Sequence, residues 1–256
     1  MPESGGGLRI CALYPELMNI YADRGNIAML ERRCRWRGIS VTVSSATIGD
    51  RVDPSAHHLY YLGGGQDRDQ ELVAADLVTT KAAALHEAVA GEAIVLGICG
   101  GIQLLGHRYE LDDREIPGAG LLDLVTVRAP AGDRLIGNVA IEVDLDGDGP
   151  RVLAGFENHG GRTLLGPGAA PLGRVLKGHG NDGRSGFEGA RSGTVLGTYL
   201  HGPLLPKNAW FADWLIATAL GVAPADLAPL DDRLEVRAHG EACAAAGVRP
   251  RPWSRT

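Results

Sequence analysis

Apolar residues fall along the chain in two patterns, short unbroken runs and longer stretches at helical spacing. The unbroken runs are residues 8–13 (LRICAL), 58–62 (HLYYL), 93–98 (AIVLGI) and 194–200 (TVLGTYL). Runs of this kind mark strands buried on both faces of a parallel sheet. Residues 39–45 alternate, as a half-buried strand does. Between the first runs, Ile27, Leu30 and Cys34 share one helix face, with Asp23 as the expected cap and Gly38 as the stop. From about Gln70 to Ala90, the residues Leu72, Val78, Ala82, Leu85 and Val89 recur at helical spacing until Gly91. Strands and helices alternating at this length predict an α/β fold, doubly wound around a mainly parallel central sheet.

The middle of the chain changes character. Segments 121–128, 138–144 and 152–156 read as strands separated by turns such as Asp146-Gly147-Asp148-Gly149, and a glycine-rich stretch covers 160–193. Residues 208–220 read as a helix with Trp210, Trp214 and Ile216 inward, and 226–246 as a last helix. No repeat or linker divides the chain. The expected organisation is a disordered leader at 1–7, a single domain at 8–246 and a tail at 247–256.

A chain of 256 residues can bury one sizeable core. No apolar run approaches the roughly 20 residues that span a bilayer, and MPESGGG lacks the features of a secretory signal. The expected location is cytoplasmic, without membrane insertion. The net charge of −6 disfavours a nucleic-acid partner. Cys11, Cys34, Cys99 and Cys243 form no CxxC pair, so neither a zinc nor a disulfide framework is expected.

One cysteine has unusual neighbours. Gly97-Ile98-Cys99-Gly100-Gly101 follows a buried strand and precedes a helix-like segment, 102–108. This G-x-C-x-G pattern is the sulfur counterpart of the nucleophile elbow. Glycines let the backbone pass closely around a strained turn, and the helix start offers amides that favour a thiolate. The amide of Gly100 suits an oxyanion hole, with Gly64 or Gly65, directly after HLYYL, as the second donor.

A thiol nucleophile needs a proton acceptor, normally histidine. Of eight histidines, His201 ends the buried run 194–200 and so falls at the same sheet edge as Cys99, where open α/β sheets place their sites. His107 is read as lying on the helix after Cys99, facing away. His159, in Glu157-Asn158-His159-Gly160-Gly161, competes for the role but reads better as part of a ligand-contacting turn, with Asn158. A metal set of His159, His179 and His201 is irregularly spaced, and no metal is expected.

These residues together resemble a known family. Cys99-Gly100-Gly101-Ile102-Gln103 looks like the C-x-G-x-Q of class I glutamine amidotransferases, and Thr198-Tyr199-Leu200-His201-Gly202 like their strand-end histidine. Residues 14–26 (YPELMNIYADRGN), 63–67 (GGGQD), 156–161 (FENHGG) and 201–208 (HGPLLPKN) narrow the resemblance. They are similar to the cobyric-acid-synthase-like branch, and within it to the glutaminase subunits (GatD) of lipid II isoglutaminyl synthases. The likeness runs from about residue 8 to residue 220. It implies a flavodoxin-like three-layer sandwich and hydrolysis of L-glutamine to glutamate and ammonia through a thioester on Cys99. Gln103 matches a substrate-contacting glutamine, and Arg134 an arginine holding the substrate α-carboxylate, a task suited to a forked guanidinium.

The class also has a glutamate two residues after its histidine; here that place is Pro203. The chain therefore works as a Cys99–His201 dyad or borrows a carboxylate, which a partner subunit is the expected source of. The sequence has no G-x-x-x-x-G-K-[ST] phosphate loop. No cofactor is expected on this chain; ATP and Mg²⁺ belong to a Mur-ligase-like synthetase subunit. The resemblance implies that this partner takes the ammonia and amidates the D-glutamate α-carboxylate of lipid II to D-isoglutamine, at the inner membrane face. Lipid II contacts the chain only through the partner. Rival readings keep the glutaminase chemistry for a cobyrinic acid derivative, or make the chain a cysteine hydrolase or a non-catalytic scaffold.

Overall fold

The computed structural model describes residues 7–20, 24–130, 132–147 and 149–249. The leader apart from Gly7, the tail beyond residue 249 and the expected cap Asp23 lie outside the described residues.

Five strands form a parallel array: β1 (Leu8–Leu13), β2 (Val41–Ala46), β3 (Leu59–Leu62), β4 (Ile94–Ile98) and β14 (Val195–Thr198). A sixth, β13 (Ala190–Ser192), joins antiparallel at the edge, and the order is β13-β14-β4-β3-β1-β2. All residues of β3, β4 and β14 are buried, which is why their sequences run apolar without alternation. Helices α1 (Arg24–Trp36), α5 (Leu204–Lys207) and α6 (Ala209–Leu220) pack together and reach the sheet at β1 and β4. Helices α2 (Asp67–Asp76), α3 (Ala82–Ala90) and α4 (Gly100–Leu105) form a second group on β4 and β14. This is the mainly parallel α/β architecture expected.

Two four-stranded sheets are added to it. One has the order β10-β7-β5-β6, built from β5 (Arg108–Glu110), β6 (Glu115–Pro117), β7 (Leu124–Arg128) and β10 (Gly161–Leu165). The other has the order β12-β11-β8-β9, from β8 (Leu135–Val143), β9 (Arg151–His159), β11 (Gly173–Lys177) and β12 (Phe187–Glu188). The glycine-rich stretch 160–193 thus carries four short strands. β9 also runs longer than expected, because Asn158 and His159 pair with Ile136 and Leu135. They sit on a strand end, not in a turn.

Three helical expectations are corrected. The helix over 70–90 begins at Asp67 and passes through a π-helical turn at Leu77–Lys81. Leu72 and Val78 are 51% and 37% exposed, while Val73, Leu77, Lys81 and Leu85 are buried. Successive i+4 steps stay in line because the wider π turn offsets the drift of an α-helix. The buried Lys81 hid this face from an apolar pattern. Second, α4 stops at Leu105, before Gly106, so His107 is on no helix; its Nε2 lies 3.0 Å from Asp123 Oδ1. Third, the last helix, α7, spans Arg233–Ala245. Pro229 lacks the amide that a helix from 226 would need, and only a 3₁₀ turn forms at Pro224–Asp226.

Candidate active site

Cys99 stands between β4 and α4, at φ 52° and ψ −107°. A non-glycine residue there is strained, and such strain gathers at functional positions. Its amide donates to Thr198 O at 2.8 Å, which ties the elbow to the end of β14. The next residue has no room for a side chain: a Cβ on Gly100 would sit 2.9 Å from Gly65 N and 3.0 Å from Gln70 Nε2. The two expected amide donors, on Gly65 and Gly100, are therefore neighbours across the tops of β3 and β4. The carbonyl of Gly64, the neighbouring residue in the chain, accepts a hydrogen bond from Ile20 N at 3.0 Å.

Cys99 is 8% exposed and lines a cavity of about 460 Å³ with Gly65, Gln103, Arg134, Asn158 and His159. That volume lies in the range of small-molecule sites. Arg134 binds Asn158 twice, Nε to Oδ1 at 2.9 Å and Nη2 to the carbonyl at 2.9 Å, so Asn158 braces the guanidinium. Gln103 is buried on α4. Its Oε1 accepts from Gln70 Nε2 at 2.9 Å, and its Nε2 donates to Tyr199 Oη at 3.2 Å. Tyr199 Oη continues the chain to Thr163 Oγ1 at 2.6 Å.

His159 stacks on Tyr199 with ring centroids 3.7 Å apart. Its Nδ1 lies 2.9 Å from Gly161 O. Since a carbonyl only accepts, the proton is on Nδ1 and Nε2 carries the lone pair. Burial pushes the imidazole down to about 3; the Gly161 bond opposes this, and the charges of Arg162, His201 and Arg134 add to it. His159 is neutral at physiological pH.

His201 is fully buried and does not line the cavity. It sits three residues past the end of β14 and is fixed by a two-way backbone bridge to Phe156, with the two rings edge to face at 6.0 Å. Burial first, then Lys207 and Arg134, pushes its pKa down to about 4, so it too is a neutral base at pH 7. The structure brings Cys99 and His201 to the carboxyl ends of adjacent parallel strands, with Ile98 and Thr198 in register.

Two participants escaped the sequence reading. Glu188 is fully buried and accepts from Thr198 Oγ1 at 3.0 Å and Tyr199 N at 2.6 Å, so it holds the strand exit that leads to His201. Gln70 is the other. The only sequence signal for it was its place one helical turn beyond the triple glycine.

Comparison with known proteins gives the family and the fold. Residues 9–209 match the model of the CobB/CobQ-like glutamine amidotransferase domain. The chain is 39% identical over 214 residues to the lipid II isoglutaminyl synthase (glutamine-hydrolyzing) subunit GatD of Streptococcus pneumoniae, covering 83% of this chain and 80% of that one. It is 37% identical over 235 residues to the same subunit of Staphylococcus aureus, covering 90% and 93%. A cobyric acid synthase of Pelotomaculum thermopropionicum is 35% identical over 213 residues, 77% of this chain but 37% of that one. In fold, the chain resembles a structure of PurLQS from Thermotoga maritima with a TM-score of 0.57 at 19% identity, over 84% of this chain and 96% of that one.

Proposed function

The chain belongs to the CobB/CobQ-like glutamine amidotransferase family, and from that premise we propose that it is the glutaminase subunit of a lipid II isoglutaminyl synthase. The observation that carries the chemistry is the strained Cys99 on the wall of a cavity whose rim holds the braced guanidinium of Arg134. L-Glutamine enters with its α-carboxylate on Arg134 and its carboxamide at Cys99. His201 takes the thiol proton as the sulfur adds to the carboxamide carbon, and the amides of Gly65 and Gly100 receive the negative oxygen. Collapse breaks the C–N bond, His201 returns its proton to the leaving nitrogen, and ammonia departs. Water then adds to the thioester and restores the thiol, leaving glutamate. Gln103 and His159 complete the wall around the substrate.

The synthetase subunit is Mur-ligase-like in this reading and uses ATP and Mg²⁺ to activate the D-glutamate α-carboxylate of lipid II. It receives the ammonia along a sheltered path and works at the inner membrane face. Among the described residues no helix is long and apolar enough to cross a membrane. The partner also supplies a carboxylate to His201 in place of the one that Pro203 cannot offer. Because the ring is fully covered here, that contact requires Phe156 or the 202–203 turn to move.

The test is amidation by the complex with L-glutamine as nitrogen donor, followed with lipid II and, separately, with cobyrinic acid derivatives. Ammonia release, a glutamyl adduct on Cys99 seen by mass spectrometry, and loss of both in Cys99→Ala are expected. Unchanged glutamine-dependent amidation in Cys99→Ala would mean a scaffold. Amidation of the corrinoid alone would reassign the acceptor. Equal glutaminase rates for the isolated chain and the complex would remove the partner carboxylate.

A further inference from the structure

Gln70 is 1% exposed on the second turn of α2 and lines the Cys99 cavity. Its Nε2 donates to Gly65 O at 3.2 Å and to Gln103 Oε1 at 2.9 Å. A backbone carbonyl can only accept, so Gly65 fixes which end of the side-chain amide is nitrogen. That leaves Gln70 Oε1 as a buried acceptor with no hydrogen-bond partner in the fold. Buried acceptors are almost always paired, and Gln70, which lines the cavity, carries one that is not, so a donor from a ligand or water at the cavity is what it lacks. Among the described residues, His159 Nε2 is a second buried acceptor without a partner on a residue lining this cavity. Gln70 alone of the two is bonded to both Gly65 and Gln103.

An amino acid held by its carboxylate on Arg134 brings an α-ammonium, with its N–H donors, into the same cavity. Its carboxamide oxygen is directed to the amides of Gly65 and Gly100. We propose that Gln70 is a specificity-determining residue whose Oε1 accepts a hydrogen bond from the α-ammonium of the bound glutamine, while its Nε2 holds Gly65 against the elbow. This rests on the glutaminase reading above. It gives the site a means to select an α-amino acid amide over other primary amides, since a substrate lacking the ammonium leaves the buried oxygen unpaired.

The experiment compares L-glutamine with its desamino analogue, 5-amino-5-oxopentanoic acid, as substrate or competitive inhibitor of the complex. The unmutated complex is expected to favour L-glutamine strongly. Gln70→Met, close in shape, loses both the acceptor and the donor to Gly65; it lowers kcat/KM for L-glutamine about 10- to 100-fold more than for the analogue, the range for a hydrogen bond to a charged group. The shared part of the loss falls on kcat, through the lost donor to Gly65, and the part specific to L-glutamine falls mainly on KM, so the preference collapses. Gln70→Glu keeps an oxygen for the ammonium but loses the donor to Gly65; it retains the preference while kcat falls. Should Gln70→Met not fold, this second variant decides, and a lost preference in it overturns the proposal. Parallel losses on both substrates in Gln70→Met overturn the role of Gln70 alone, leaving it a brace for Gly65. A complex inactive towards L-glutamine, but folded and able to use free ammonia, overturns the glutaminase reading and this inference together.

Discussion

His201 illustrates how far burial and neighbouring charge set the chemistry of one side chain. Its pKa is pushed down to about 4 by desolvation, then by Lys207 and Arg134. A base must be neutral to accept the Cys99 proton, so the acid limb of kcat/KM lies below that of an ordinary histidine. Lys207→Met removes one of the two opposing charges and is expected to move that limb to higher pH, with the alkaline side little changed; a pH–rate profile of the complex checks this. An unmoved limb would mean that Lys207 does not act on the ring. The same depression has a cost in stability. Between about pH 6.5 and 4 the unfolded chain binds the proton that the folded ring refuses, so this residue makes folding less favourable as pH falls through that window. Cys99 and His201 were legible in the sequence because their motifs force the backbone, glycine by glycine, into a strand–turn–helix and a strand end. Gln70 and Glu188 were not. A glutamine early in a helix and a glutamate among glycines announce nothing until the fold closes around them.

The joined helix α2–α3 shows where periodicity fails as a guide to an element. Its core-facing row passes through the π turn and includes Lys81, fully buried and ion-paired with Asp76, which also accepts from Tyr14 Oη at 2.6 Å and Gly49 N at 2.9 Å. The Lys81 ammonium lies 4.8 Å from the centre of the Tyr14 ring. Tyr14 has φ 49° and opens the segment that reaches Ile20 on the cavity wall, so this cluster anchors one side of the site. Lys81→Met leaves Asp76 without its cation and is expected to cost about 3 kcal/mol, the low end for breaking a buried pair, since the other two donors remain. Urea unfolding measures it. The pH dependence carries a second signature. Asp76 is held down at about 2; desolvation opposes this, and the bonds from Lys81, Tyr14 and Gly49 overcome it. Its contribution is present above about pH 3.8 and lost as pH falls through about 2. In Lys81→Met the folded carboxyl titrates closer to its unfolded value, so this acid-dependent loss becomes smaller. A variant as stable as the parent, with the same acid midpoint, would show that the pair contributes nothing. Strands β3, β4 and β14, by contrast, were legible to within two residues, because burial on both faces favours apolar side chains.

At the scale of the whole molecule, the family match stops at residue 209, and charge binds the last two α-helices to the α/β core. Arg33 of α1, fully buried, donates Nε and Nη2 to the Asp213 carboxylate at 2.6 and 2.7 Å, and Nη1 to Asp232 at 2.8 Å. Arg37 meets the other side of Asp213 at 2.8 Å. Asp213 lies on α6 and Asp232 caps α7, so one guanidinium joins three helices. Nothing local in the arginine-rich run at 32–37 announces the burial of Arg33 or the pairing of Arg37, because both acids lie almost two hundred residues away. Three strands of the added sheets were read from the sequence, but their pairing escaped for the same reason, since β7 pairs with β10 and β8 with β11 across long glycine-rich intervals. Arg33→Met therefore removes the guanidinium that Asp213 and Asp232 share, while Arg37 stays paired with Asp213. The expected loss is about 3–5 kcal/mol in denaturant unfolding, and it is not evenly spread. The bond from Arg33 to Asp232 is the tie between α1 and the start of α7, so amides of α7 exchange faster than those of β3, β4 and β14 under native conditions. Uniform acceleration across the sheet and α7 would instead mean that the helix is an inseparable part of the cooperative core, and that the arginine stabilises the molecule as a whole rather than fastening its last helix.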